Sequence, residues 1–120
     1  MNSINSSLKK AAITAVGTYV PEDKLTNADL EKMVDTNDDW IVARTGIKER
    51  RILKDANKGT SFMAIEAARD LFNKKNINPK DIDIVIVATI TPDMNVAATA
   101  AYVASEIGAE NAFGFDIQAA

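Results

Sequence analysis

The segment IDIVIVAT, from Ile82 to Thr89, contains the longest strongly apolar run of the chain. Its central residues, Ile84–Ala88, show no alternation of apolar and polar side chains. This pattern is typical of a strand that is covered on both faces, as the strands of parallel sheets are. Because parallel strands need crossover connections, which are usually helices, the segment predicts an α/β fold.

Helical segments flank this strand on both sides. Residues Thr60–Asn76 place apolar side chains at helical spacing, and the alanine-rich segment Ala97–Ile107 predicts a buried helix that ends at Gly108. A further strand is predicted at Ala112–Ile117. The succession of helix, strand, helix and strand predicts a sheet joined by right-handed crossovers.

The amino-terminal part predicts a strand followed by two short helices. Residues Ala11–Val20 have the composition of a strand. Thr26 is placed to cap a first short helix, with Asp29 in a capping-box-like position three residues on. A second short helix is predicted over residues Asn37–Thr45, with Gly46 as its C-cap.

The length of 120 residues is enough for one domain and too small for two. We divide the chain into a polar tail, residues 1–10, and an α/β domain, residues 11–120. The domain is predicted to be incomplete at its carboxyl end, because its last strand has no following crossover helix and nothing to cover one face. For this reason we expect that the 120 residues alone do not form a stable monomer.

The composition argues against several classes of site. The chain has no cysteine and no histidine, so it offers no thiol nucleophile, disulfide or imidazole base and lacks the commonest zinc ligands. We predict no metal site and no prosthetic group. The formal net charge of -3 argues against general nucleic-acid binding. The polar tail shows no secretory signal and no apolar run could span a bilayer, so we expect a cytoplasmic protein without membrane contact.

Thr36, Trp40 and Arg44 follow one another at intervals of four residues. In one helix they would share a face, with Thr36 at its start. An indole ring with a guanidinium one turn later can stack a planar aromatic ligand while the cation meets phosphate, which suits an adenine nucleotide such as coenzyme A (CoA). The spacing also allows an alternative, in which Trp40 is a core residue and Arg44 covers it.

Basic residues crowd together from Arg44 onward. Six of the 14 Lys and Arg residues lie within fifteen positions: Arg44, Lys48, Arg50, Arg51, Lys54 and Lys58. One interpretation is a local site for an anionic ligand. The other is a solvated turn region.

Two further positions could carry chemistry. The turn Thr91–Asp93 follows the apolar strand, at the end where ligands gather in open α/β sheets. Asp93 could act as an acid–base group, or it could cap the helix that follows it. The small residues Ala119 and Ala120 would suit a tight turn that holds a nucleophile at a helix N-terminus. No residue within the chain is assigned a catalytic role.

Three stretches resemble one family. The residues from Thr26 to Ile52, TNADLEKMVDTNDDWIVARTGIKERRI, are similar to the amino-terminal signature of β-ketoacyl-ACP synthase III. VATITPD, from Val87 to Asp93, and FDIQAA, from Phe115 to Ala120, match that family in order and approximate spacing. The resemblance runs from Ala11 onward and implies a thiolase-like fold, of which the chain would form part of the amino-terminal half.

The resemblance also implies a function. Such enzymes condense an acyl-CoA primer with malonyl-ACP to start fatty-acid synthesis, release carbon dioxide and act as homodimers. It implies that Trp40 stacks on the adenine of CoA and that Thr36 and Arg44 help to hold the nucleotide end, so a CoA thioester is the expected substrate.

The catalytic residues implied by the resemblance lie outside the 120 residues. In the family, the catalytic cysteine directly follows the alanines that match Ala119 and Ala120, and its histidine and asparagine partners lie much further along. The chain is therefore expected to be inactive alone and to need the remainder of the polypeptide as its partner.

One segment departs from the family pattern. Between the TPD turn and the alanine-rich helix, where relatives often have a bulky aromatic residue and a proline, the chain has Val96 and Ala97. The resemblance implies that this segment reaches the partner subunit's acyl pocket, so smaller side chains would leave room for a longer primer. Two other functions stay open at this point: a related thiolase-fold acyltransferase of secondary metabolism, and a non-catalytic module that binds CoA or acyl groups.

Overall fold

A computed structural model describes residues 10–118. Its elements are, in chain order, β1 Lys24–Thr26, α1 Asn27–Leu30, α2 Asp38–Thr45, β2 Glu49–Arg51, α3 Thr60–Lys75, β3 Ile84–Ala88, α4 Thr99–Glu106 and β4 Phe113–Ile117, with a 3-10 turn at Pro79–Asp81. Residues 1–9 of the predicted polar tail and the turn predicted at Ala119 and Ala120 lie outside the described residues.

The prediction of a strand at Ala11–Val20 is wrong, because these residues form no strand. Contacts with α3 hold the segment in place. The backbone N–H of Thr18 donates to Asp70 Oδ2 at 2.8 Å, and the ring of Tyr19 meets Phe62 edge-on, with 5.4 Å between the ring centroids. A strand needs a neighbouring strand to complete its backbone hydrogen bonds, and none of the strands within residues 10–118 pairs with this segment.

The elements β1, α1, α2 and β2 form what we call the amino-terminal unit, Lys24–Arg51. β1 and β2 pair antiparallel, with Lys24 opposite Arg51. The capping box predicted at Thr26 is confirmed: the Thr26 hydroxyl accepts from the backbone of Asp29, whose carboxylate accepts from the backbone of Thr26. The second short helix and its C-cap are confirmed as well, with Gly46 in the left-handed region at φ 70°.

The elements α3, β3, α4 and β4 form the carboxyl-terminal unit, Thr60–Ile117. β3 and β4 pair in parallel, with Ile84 opposite Phe113 and Ala88 opposite Ile117, and α4 is the crossover between them. These elements confirm the helices and strands predicted for this part of the chain, with shorter bounds. A small apolar core lies between the sheet and the two helices; its buried members are Ile65, Val87, Ala100 and Val103.

The prediction that β3 is covered on both faces is wrong. Val87 is buried, but Ile84 is 46% exposed and Ile86 is 51% exposed. Successive side chains of a strand point to opposite faces, and α3 and α4 cover only one of them. The uncovered side, which we call the bare face, consists of the exposed side chains of Ile84, Ile86, Phe113, Phe115 and Ile117. It matches the uncovered face that the sequence predicts for the last strand.

Candidate functional site

The helix α2 presents two of the predicted binding residues, Trp40 and Arg44, to solvent. The side chain of Asn37, its N-cap, accepts a hydrogen bond from the backbone N–H of Trp40 at 2.8 Å. Ile41 is 5% exposed and anchors the opposite side of the helix in the amino-terminal unit. With Ile41 turned inward, Trp40 is left 53% exposed.

Trp40 and Arg44 lie against each other on this exposed side. The guanidinium carbon of Arg44 lies 4.7 Å from the centroid of the Trp40 ring, as the spacing of one helical turn permits. The alternative in which Trp40 is a core residue is wrong, because more than half of its surface is exposed. One face of the indole is covered by a cation, and the pair offers a planar apolar surface next to a positive charge.

Thr36 does not share the helix with the other two predicted residues. It precedes the N-cap Asn37, whose backbone is extended at φ -150° and ψ 163°, so the helical spacing begins after it. The side chain of Thr36 is partly buried, and within residues 10–118 no hydrogen bond joins it to Trp40 or Arg44. The predicted common face is therefore correct for Trp40 and Arg44 and wrong for Thr36.

The six basic residues separate into two groups. Ion pairs join Arg51 to Glu49 at 3.6 Å, Lys54 to Asp23 at 3.1 Å and Lys58 to Asp55 at 3.6 Å. Arg50 donates to the side chain of Asn27. The side chains of Arg44 and Lys48, by contrast, form neither an ion pair nor a hydrogen bond with any residue in the range 10–118. The charge that is free to meet an anionic ligand is thus concentrated at and just beyond the carboxyl end of α2.

Asp93 caps a helix, but a different one from the one predicted. Its carboxylate oxygens accept from the backbone N–H of Ser61 at 3.1 and 3.2 Å, at the start of α3, where the N-cap Gly59 has no side chain to offer. The start of α4 is capped instead by Asp116, which accepts from the backbone N–H groups of Thr99 and Ala100 at 2.7 and 2.8 Å.

These two caps come from distant parts of the chain, so they cannot be recognised from local sequence. The hydrogen bonds from Ala100, above all, and from Thr99 hold the pKa of Asp116 below its ordinary value of 3.8, against an opposing contribution from desolvation. Asp116 therefore stays ionised at neutral pH and binds the positive end of the α4 dipole.

No family model matches the chain. The chain is 60% identical over all of its 120 residues to the β-ketoacyl-[acyl-carrier-protein] synthase III of Porphyromonas gingivalis, of which it covers 34%. It is 59% identical over 111 residues, 92% of its length, to the synthase of the same name from Chlorobium chlorochromatii, of which it also covers 34%. The resemblance to β-ketoacyl-ACP synthase III is confirmed. The chain spans about a third of the length of these relatives.

Solved structures of synthase III enzymes have the same fold. The enzyme from Thermus thermophilus matches with a TM-score of 0.81 and 46% identity, over 91% of this chain and 33% of that enzyme. The enzyme from Aquifex aeolicus matches with a TM-score of 0.80 and 44% identity, over 88% of this chain and 33% of that enzyme. The thiolase-like α/β fold class is thereby confirmed, and the chain forms part of such a fold.

Two residues that hold the synthase III signature together were missed by the sequence analysis. Glu31 accepts a hydrogen bond from the backbone N–H of Asp38 at 2.7 Å, and the side chain of Asn27 bonds to three other residues of the amino-terminal unit. A carboxylate shortly before a helix is a weak signal that could have indicated Glu31. Asn27 gives no local signal, because its side-chain partners lie 11 to 23 residues further along the chain.

Two other classes of feature are absent from residues 10–118. No helix in this range is both long and apolar enough to cross a bilayer. The same range holds no group of three or more acidic side chains that could bind a metal ion.

Proposed function

We propose that the complete protein containing this chain is a condensing acyltransferase of the β-ketoacyl-ACP synthase III type. It joins an acyl-CoA primer to malonyl-ACP, releases carbon dioxide and so starts fatty-acid synthesis, with CoA thioester as substrate and no prosthetic group. The observation that supports this most directly is the exposed Trp40–Arg44 pair in a chain 60% identical to a synthase of that name. A homodimeric assembly and a cytoplasmic location belong to the same proposal.

The role of this chain in the reaction is to bind the nucleotide end of CoA. Arg44 covers one face of the Trp40 ring, and the adenine stacks on the other. The guanidinium then lies across the indole ring from the base, with no carboxylate among residues 10–118 to neutralise it, and can donate two hydrogen bonds to a phosphate of the ligand. Lys48 adds a second cation near the end of α2, and the hydroxyl of Thr36 adds a hydrogen-bond donor before its start.

The bond-making steps need the remainder of the polypeptide. The 120 residues contain no cysteine to form an acyl-enzyme and no histidine to take part in decarboxylation. We therefore propose that the chain contributes affinity for the primer and has no activity alone.

The two alternatives differ from this proposal in acceptor and in catalysis. A priming β-ketosynthase from the R1128 polyketide pathway is 33% identical with a TM-score of 0.80, whereas the first relatives named synthase III are 59–60% identical. The higher identity favours the fatty-acid role. A non-catalytic module would bind CoA without turning it over, so any acyl transfer by the complete protein contradicts that alternative.

The test compares two primers on the complete enzyme: an acyl-CoA, and the matching acyl-pantetheine, which lacks the nucleotide. Base stacking on an aromatic side chain is worth roughly 1–3 kcal/mol. We therefore expect Trp40→Ala to lower the ratio of kcat/KM for acyl-CoA to that for acyl-pantetheine by about 5- to 150-fold. Arg44→Ala should lower the same ratio through lost phosphate contacts, and Trp40→Phe should fall between Trp40→Ala and the native enzyme.

The control is Tyr102→Ala, which removes an exposed aromatic ring from α4 in the other unit. It should leave the ratio at the native value. The proposed role of α2 is contradicted if Trp40→Ala slows both primers equally, because the ring would then act on the fold or on the chemistry and not on the nucleotide.

A further inference from the structure

We propose that Asn27 is a positioning residue for the nucleotide site: its side-chain amide bonds to the residues at both ends of α2 and so fixes the direction in which Trp40 and Arg44 point. This inference rests on the proposed function of α2. Asn27 contacts neither Trp40 nor Arg44 by a hydrogen bond, and it acts through the helix that carries them.

Asn27 is one of the most buried residues of the described chain, with 2% of its surface exposed. Its Nδ2 donates to Asp38 Oδ1 at 2.6 Å and to the carbonyl of Ile47 at 2.9 Å. Its Oδ1 accepts from the guanidinium of Arg50. Three of the four hydrogen bonds that an amide side chain can make are therefore formed, and each goes to a different segment of the amino-terminal unit.

The chemistry of the partners requires an amide at this position. A carboxylate and a peptide carbonyl only accept hydrogen bonds, and a guanidinium only donates. Only a group with donors on one side and an acceptor on the other satisfies Asp38, Ile47 and Arg50 together. Because Asn27 is buried, a donor or acceptor left without its partner would lose hydrogen bonding without regaining water.

The partners of Asn27 lie at the two ends of α2. Asp38 is the first residue of the helix, and Ile47 directly follows its C-cap Gly46. Helices as short as these eight residues are not stable in isolation, so tertiary contacts decide where such a helix lies: Ile41 anchors its buried side, and Asn27 bonds to both of its ends. Glu31 also holds the start, through the backbone N–H of Asp38, but it does not reach the far end.

The isosteric substitution Asn27→Asp separates positioning from packing. It keeps the shape of the side chain and the contact with Arg50, but it turns two oxygen lone pairs toward the Asp38 carboxylate and the Ile47 carbonyl. Both ends of α2 are then repelled. The double variant Asn27→Asp/Asp38→Asn restores a donor–acceptor pair at the start of the helix and leaves the contact at Ile47 unrestored.

The experiment measures, in the complete enzyme, the ratio of kcat/KM for acyl-CoA to that for acyl-pantetheine. Misplacing a binding group by about 1 Å can cost roughly 100-fold, so we expect Asn27→Asp to lower the ratio by about tenfold or more. The double variant should recover part of that loss. The matched control is Asp29→Asn, which weakens the capping box of α1, the helix that contains Asn27, but touches no residue of α2. It should lower the Tm and leave the ratio at its native value.

The outcomes distinguish this inference from the proposed function. If Asn27→Asp keeps the native ratio while Trp40→Ala lowers it, the positioning role is overturned and the nucleotide site stands. If Trp40→Ala also keeps the native ratio, the nucleotide site itself is wrong. If Asn27→Asp prevents folding, Asp38→Ala is measured instead. This substitution changes an exposed side chain and removes its hydrogen bond with Asn27. A native ratio in that variant also overturns the inference.

Discussion

The two units of the molecule are held together by different forces. The amino-terminal unit, Lys24–Arg51, surrounds the buried amide of Asn27 with hydrogen bonds and buries one large apolar side chain, Ile41. The carboxyl-terminal unit, Thr60–Ile117, packs two helices on one face of a two-stranded sheet around a small apolar core. Within residues 10–118, no hydrogen bond or ion pair joins one unit to the other.

The hydrogen bonds determine how precisely α2 is positioned, and the apolar burial determines how complete the core is. Hydrogen bonds are directional, so a polar network can fix the position of α2 although little surface is buried. Apolar burial is not directional and depends on area, so the carboxyl-terminal unit stays unfinished while its bare face is exposed. The amino-terminal unit therefore holds α2 in a defined position, whereas the core of the carboxyl-terminal unit is incomplete.

The largest effect is expected when the 120 residues are taken without the rest of the protein. We expect the isolated chain to lack a cooperative thermal transition and to bind the dye ANS, because the bare face and the open sheet edges stay exposed. Circular dichroism melts and ANS fluorescence, each compared with the complete protein, provide the measurement. Phe115→Ser in the isolated chain should reduce ANS binding by removing one of the exposed rings.

A cooperative melt of the isolated chain, together with CoA affinity equal to that of the complete protein, would contradict this expectation. It would mean that the polar network of the amino-terminal unit and the small core of the other unit are sufficient for folding.

Two glycines allow the units to be compared by the same substitution. A Cβ at Gly114, on β4, would lie 2.8 Å from the carbonyl carbon of Ala100, because α4 crosses the strand at backbone contact. A Cβ at Gly46 meets nothing within 4 Å, and only the φ of 70° opposes it. Overpacking costs about 1–3 kcal/mol or more, and the left-handed region costs an L-residue about 1–2 kcal/mol. We expect Gly114→Ala to lower the unfolding free energy of the complete protein more than Gly46→Ala does.

The replacement by asparagine sharpens this comparison. Asparagine tolerates the left-handed region, so Gly46→Asn should regain part of the stability lost in Gly46→Ala. Gly114→Asn should be worse than Gly114→Ala, since the obstacle there is space. Denaturant titration of the four variants tests both statements, and equal losses at the two positions would show that close packing of α4 on β4 does not limit stability.

The smallest effect concerns the tertiary cap of α4 and depends on pH. Because the pKa of Asp116 is lower in the folded protein than its ordinary 3.8, its contribution to stability is complete above pH 3.8 and is lost as the pH falls through the folded pKa. The difference in unfolding free energy between the native protein and Asp116→Asn should therefore be constant at neutral pH and shrink below pH 3.8.

Asp83→Asn is the matched control for this titration, since Asp83 lies on the same unit and its side chain forms no hydrogen bond within residues 10–118. Because that substitution removes no helix cap, it should lower the unfolding free energy at neutral pH less than Asp116→Asn does. A difference for Asp116→Asn that stays constant down to the acid transition would mean that the cap gains nothing from its charge.

Local patterns predicted the elements whose causes are local. The capping box at Thr26, the C-cap at Gly46 and the amphipathic helix from Thr60 all depend on residues within a few positions, and all three are confirmed. The family resemblance predicted the thiolase-like fold because it compares whole stretches of sequence. The i, i+4 spacing likewise predicted that Trp40 and Arg44 lie together.

The predictions that failed, and the residues that were missed, concern contacts between distant parts of the chain. The apolar run of β3 is covered on one face only, because burial depends on which elements pack against a strand and not on the strand itself. Asp93 caps α3, 32 residues before it in sequence, and Asn27 meets its partners across a turn and a helix. Contacts of this kind depend on tertiary arrangement, which no window of a few residues contains.

The stacking of Arg44 on Trp40 also has an entropic consequence. Immobilising a flexible side chain at a binding site costs about 0.5–1.5 kcal/mol. Because Arg44 already rests on the indole ring, and the backbone of Trp40 is held by Asn37, much of this ordering takes place when the protein folds. A planar ligand that reaches α2 meets a preorganised surface, and a larger share of its contact energy remains available as affinity.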